Sequence, residues 1–431
     1  MKWSNVVKGF ILCAFLMGNA WAQTFSGRAI TSFYTYQRSD TVDVSSQQSR
    51  GYQGFQFDLR QKNITLSTYG QVDYDFSSPL EGDPKLRLFN LYLQWRQIFK
   101  VAELKLGRMP VFAGVGVGTI DGAQLKIRLG KWGNVKAFGG GLLPPHQKLE
   151  VIDNLDDNYM AGGQLRIFPA RGLNFSLSYL NKRQSRASYY AERADSIGNV
   201  LTQFVEPSSN AFEFAALDAS WLVTPVTSLY ARGDYDFNGK KLTRMEFSIR
   251  STVSTRVTLN GAYAYRSPRL PWNSIFSVFN TDDNHEIQLG LYYRLRPGMQ
   301  FFGNGAYIIY PDDSSLRFSL GFNVPIGSFS FVHRSGYAGD LQGLNLYLYR
   351  TLQQGKLTPK LQLSWASYKL TSEASSRETL LSAAAGVLYR LANRWSLDGE
   401  VQLLNNRYYE YDTRFLFRLQ YRFFTRFGSQ N

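Results

Sequence analysis

Two residues invite a chemical reading first. His333 and Ser335 stand two apart in the run FSFVHRS, residues 329–335. A hydroxyl beside an imidazole is the nucleophile–base pair of acyl transfer. In a strand, residues two apart share a face, so Phe329, Phe331, His333 and Ser335 would point the same way. Such a pair needs a third group to orient the base. The nearest candidate is Asn345, which lies between Leu344 and Leu346 and so falls on the opposite face. Gly114-Val115-Gly116-Val117-Gly118 could cradle a phosphate, but it lacks the G-x-G-x-x-G spacing and no helical pattern follows it. His146, His285 and His333 have no second ligand at metal-site spacing. Cys13 is the one cysteine. It falls in a segment read below as removed, so disulfides, thiolate metal sites and covalent haem attachment are excluded from what remains. The sequence therefore predicts no catalytic residue, no metal and no cofactor, and the chain is not expected to be an enzyme.

What recurs is electrostatic. From Thr413 to Phe424, Phe415, Phe417, Leu419, Tyr421 and Phe423 fall on one strand face, and Arg414, Arg418, Gln420 and Arg422 on the other. The same alternation runs back to residue 24 in segments of about ten residues divided by turn signals. It predicts about 22 strands (between 20 and 24), joined by connections that alternate short and long. Short ones include 168–172, 223–225, 296–298, 325–327 and 391–394; long ones include 39–51, 111–121, 144–157, 184–211 and 267–284. Short turns at one end and longer loops at the other are the asymmetry of an outer-membrane barrel. A Greek-key sandwich has no reason to keep it.

The basic balance fits this pattern. Residues 1–22 read as a secretory signal, with Lys2 and Lys8, the apolar run GFILCAFLMG and the cleavage site Ala20-Trp21-Ala22. Cleavage between Ala22 and Gln23 takes 22 residues from 431 and two lysines from a net +15, leaving 409 residues at +13. The charge is spread at every second residue rather than gathered in a patch, which argues against nucleic acid. No apolar run after residue 22 is long enough for a transmembrane helix, and aromatic residues, 15% of the chain, suffice for interfacial girdles.

The terminal strand resembles the closing strand of bacterial outer-membrane β-barrels, with Phe423 as the final aromatic; the eight residues from Phe424 to Asn431 depart from that habit. His333-Arg334-Ser335 resembles the His-x-Ser of outer-membrane phospholipase A, but the misplaced Asn345 and the high strand count depart from that family. Plugged outer-membrane transporters are similar in strand number only, because the first strand begins almost at the mature N-terminus and leaves no length for a plug.

The expectation is thus an all-β chain. Residues 1–22 are a signal peptide, and residues 23–431 form a single transmembrane antiparallel barrel in the bacterial outer membrane, without a plug. Alternation assigns the lumen face Lys126, Arg128, Arg232, Asp234, Arg244, Glu246, Arg250, Arg294, Arg317, Lys360, Arg414, Arg418 and Arg422. Rings of basic side chains favour anions, although the same residues can pair across strands. The expected function is porin-like diffusion of small, anionic solutes, with the loops 184–211 and 267–284 narrowing the bore. The second, apolar with Pro271, Trp272, Ile275, Phe276 and Phe279, would fold inward or meet a partner. Expected partners are outer-membrane lipid and small solutes. The alternatives are a sheath around a protein partner, such as a porin–cytochrome conduit or an export machine, and a lipid hydrolase.

Overall fold

The computed structural model describes residues 23–41, 44–77, 85–194, 200–269, 283–337, 339–369, 376–406 and 411–427. The signal segment 1–22 and the apolar residues 271–279 lie outside this set. Twenty-two strands form one antiparallel sheet in which each barrel strand pairs with its neighbours in the chain. β1 (Thr24–Thr41) pairs with β24 (Asp412–Arg426) from Thr24↔Arg426 to Thr35↔Phe415, which closes the sheet on itself. Closure removes the two open edges of the sheet, the condition for crossing a bilayer with strands. No plug domain fills the barrel among the described residues, and no helix there is long and apolar enough to span a membrane.

The strands form because their side chains suit two different media. On β16 (Asn284–Arg296), Ile287, Leu289 and Leu291 are exposed on one face, while Glu286, Gln288 and Arg294 occupy the other. The apolar face recurs round the whole barrel and is exposed in the isolated chain, as a lipid-facing belt must be. Aromatic pairs bound the belt at both ends. Phe25–Phe423 (4.7 Å) and Trp395–Tyr421 (4.5 Å) lie at the end carrying the chain termini, and Tyr310–Tyr337 (4.3 Å) and Tyr74–Phe76 (4.8 Å) at the other.

Three expectations about the connections need correction. Residues 39–51 are mostly strand, since β1 runs to Thr41 and β2 (Val44–Gln61) starts at Val44. Residues 184–211 contain a small separate hairpin, β10 (Tyr189–Ala194) with β11 (Val200–Val205). Residues 111–121 are two paired strand ends, belonging to β5 (Ala102–Ala113) and β6 (Gly116–Arg128) and joined by Gly114 and Val115. Glycines at 114, 116 and 118 read as a loop, but the Phe112↔Val117 and Pro110↔Thr119 pairs hold a regular ladder. The length alternation is also looser than expected: 237–240, 310–313 and 337–340 are short connections at the long-loop end.

Candidate functional site

The functional geometry begins where β5 leaves its neighbour. β4 (Lys85–Ile98) pairs with β5 only up to Leu91↔Arg108. At that point Gly107 has φ +117°, a conformation that a side chain would strain. Beyond it, the β5–β6 hairpin turns into the barrel. Its residues Met109, Val111, Ala113, Val115 and Ile120 pack against Phe138 of β7 (Gly133–Leu142), Met160 of β8 (Tyr159–Ala170) and Leu180 of β9 (Leu173–Gln184). Phe214 and Ala216 of β12 (Asn210–Thr224) complete the cluster. These wall residues alternate with the exposed Val135, Ile167, Leu177 and Leu217, so they face the lumen. Met109, Val111 and Ile120 are wholly buried, and each contributes about 1.5–3 kcal/mol of gross apolar burial.

Polar contacts fix the tip. Lys136 Nζ donates to the Phe112 carbonyl (2.6 Å), and Val115 N–H donates to Ser178 Oγ (3.0 Å). Gly114 has φ +65°, and a Cβ there would collide with Ser178.

Turning the hairpin inward opens a slot in the wall beside the upper part of β4. The connection 143–158 fills it, with the 3-10 turn Pro145–Gln147 against β4. Arg108 ties the pieces together. It is 4% exposed and grips Asp121 with two hydrogen bonds (2.8 and 2.7 Å). It also donates to the carbonyls of Leu88 (3.0 Å), Lys148 (2.6 Å) and Glu150 (3.0 Å).

Below the hairpin tip lies a recess of about 580 Å³, within the size range of small-molecule sites. Phe112 and Val117 form one side. Gln164, Arg166, Ser176, Asp218, Tyr230 and Arg232 form the other, with Arg232 on β13 (Thr227–Asp236).

The sequence-assigned lumen residues fall into two groups. The first is paired. Arg232 lies between Asp218 (3.4 Å) and Asp234 (2.7 Å), and Asp234 is also bound by Arg269. Arg244 pairs with Glu246 (2.7 Å) and Arg317 with Glu286 (2.6 Å), and Arg266 also contacts both acids. Lys360 bridges Asp398 (3.2 Å) and Glu400 (2.6 Å), and Arg414 binds Asp412 (2.7 Å). The second group makes no ion pair among the described residues: Lys126, Arg128, Arg250, Arg294, Arg418 and Arg422. Arg250 instead lies over the Tyr292 ring (5.8 Å). Lys126 stands opposite Lys136, and Arg422 opposite Arg28. Five of the six lie in the halves of their strands nearer the chain termini, and Arg418 sits at the middle of β24.

Lys105, Lys136 and Arg166 share that half and were missed as members of the group. The spacing of Lys136 and Arg166 on β7 and β8 carried the same signal as Lys126.

The hydrolase constellation does not assemble. His333 packs on Phe318 (5.1 Å between rings), while Asn345 stands opposite Ser330 and accepts a hydrogen bond from Ser364 (2.7 Å). Among the described residues, no cluster of histidine, cysteine or carboxylates could hold a metal.

No family model and no curated protein matches this chain. Solved structures do. The ferric enterobactin receptor of Pseudomonas aeruginosa superposes with a TM-score of 0.59 at 12% identity, over 94% of this chain and 81% of the receptor. The siderophore receptor PirA of the same organism gives 0.53 at 14% identity, over 93% and 80%. The fold is that of a bacterial outer-membrane barrel. OpdL, also from Pseudomonas aeruginosa, matches at 0.44 and 10% identity over 93% of this chain and 99% of its own.

Proposed function

We propose that the protein is a porin-like channel of the bacterial outer membrane that passes small anionic solutes by diffusion. The observation that carries this reading is the hairpin 109–120. It lies inside a closed barrel and narrows the bore from one side. The paired charges stiffen the wall, while the unpaired lysines and arginines leave the half of the lumen nearer the chain termini positive. Fixed positive charge concentrates anions and repels cations in a narrow, low-dielectric passage. The hairpin is the narrowing element in this reading. The cleavable signal at 1–22 would deliver the chain.

The sheath alternative fits less well, because an insert of this size takes up bore that a protein partner would need. The test is single-channel recording of the refolded mature chain across a salt gradient. Discrete steps with anion preference are expected. Arg418→Glu with Arg422→Glu should move the reversal potential toward cation preference. Stable insertion without conductance would refute the channel, and an unmoved reversal potential would refute the basic lumen.

A further inference from the structure

The hairpin has two unlike faces. One is the buried cluster around Met109, Val111 and Ile120. On the other, Phe112 and Val117 are direct cross-strand partners and remain 65% and 60% exposed. An adjacent phenyl and isopropyl group facing water inside a lumen are unfavourably hydrated until something apolar covers them. They overlook the recess, whose far side carries Phe168 and Phe175 beside polar groups that are mostly self-satisfied. Gln164 donates to Ser176 (2.8 Å), Asn174 to Ser220 (3.3 Å) and Tyr230 to Asp218 (3.0 Å). Arg232 is neutralised by its two aspartates.

Charge then decides the ligand. Among the charges at the recess, Arg232 is held by Asp218 and Asp234, which leaves the positive charge of Arg166 uncompensated. Arg166 is the lining charge without a carboxylate partner among the described residues. A guanidinium in that state offers a planar fork for a carboxylate, phosphate or sulfate.

We infer that this recess is a binding site for a monoanionic solute with an apolar body. The anionic group sits on Arg166 and the body lies against Phe112 and Val117. The inference rests on the channel reading, since the lumen is the solute's route, and it adds that passage is selective for such solutes over simple anions.

The probes are cyclohexanecarboxylate, acetate and cyclohexylmethanol, titrated calorimetrically into the refolded mature chain in detergent micelles. Empty micelles serve as the blank. Cyclohexanecarboxylate should bind at least about tenfold more tightly than either of the others, the scale expected for covering a ring face. Phe112→Ser with Val117→Ser should abolish its advantage over acetate. Arg166→Gln, which leaves the hairpin untouched, should abolish its advantage over the alcohol. Heat-dependent gel migration checks that each variant has folded. Equal binding of acetate and cyclohexanecarboxylate by the unaltered chain, or retention of both preferences in folded variants, would overturn the site. Chloride conductance of the same unaltered preparation separates the two readings. A barrel that conducts without discriminating refutes the site alone, and one that discriminates without conducting refutes the channel alone.

Discussion

Arg108 is the fastening on which the inward hairpin depends, and Arg108→Ala tests this directly. Truncation leaves Asp121, 11% exposed at its side chain, without its partner. Breaking a buried ion pair from one side costs about 3–5 kcal/mol. The carbonyls of Leu88, Lys148 and Glu150 lose a donor as well. Water at the rim can replace some of these bonds, so about 1 kcal/mol in total is a fair allowance. The loss falls on one local unit and not on the 22-strand ladder. The hairpin and the 143–158 connection should therefore open by themselves, in the manner of local unfolding. The sum of about 4–6 kcal/mol corresponds to a thousandfold or more in opening equilibrium, because each tenfold takes about 1.4 kcal/mol. Hydrogen exchange in micelles reads it. The amides of 109 and 111–120 should exchange about a thousandfold faster or more, while those of β16 and β24 keep their rates. Arg108→Met with Asp121→Leu removes both charges and should recover most of the loss. Unchanged exchange at 109–120 in Arg108→Ala, or no recovery in the double variant, would refute the reasoning.

Replacing residues 110–119 by a short glycine link should leave the barrel folded and raise single-channel conductance severalfold, because the bore loses its insert. Gly114→Ala places a Cβ against Ser178 at a positive φ; the cost is about 1–2 kcal/mol from the backbone alone, and bilayer recordings should show faster flicker between conductance levels. Asp283 lies just outside the membrane-spanning strands. Burial is the largest single influence and opposes its ionisation, but the hydrogen bonds from Tyr265 (2.6 Å) and Ser267 and the positive charge of Lys241 together outweigh burial and hold its carboxyl below the ordinary value. A depressed pKa gives stability that is present above the unfolded value and lost as pH falls through the folded one. Tyr265→Phe should raise that pKa, which NMR titration of the Asp283 carboxyl would detect.

The barrel was legible because period-two alternation between lipid and water is written into every strand. The count of about 22 and the absence of a plug followed from it. The insert was not legible in the same way, because alternation assigns faces but does not say what a face touches. One trace of it existed. The alternation from Phe212 to Leu222 is blurred because Phe214 and Ala216 are apolar on the face that is polar elsewhere. Phe138, Met160 and Leu180 break the rule at matching heights on β7, β8 and β9. Apolar residues on an inner wall mean that something apolar lies against it. Glycines hid that something, since 114, 116 and 118 suggest a loop where close packing in fact demands small residues. The charge ladder was legible as residues but not as pairs. Arg232 and Arg422 look alike in sequence, yet one is neutralised by two aspartates and the other makes no ion pair among the described residues.

The position of the hairpin along the chain constrains the order in which the molecule can be built. Every wall residue that it packs against lies between Tyr92 and Ala216. The seam of the barrel joins residues 24–35 to 415–426. Bringing together ends nearly 400 residues apart is the slowest kind of contact to form. The insert can therefore seat itself on an open, curving sheet well before the seam exists. The cylinder then closes round an interior already furnished, and nothing has to be threaded through its mouth.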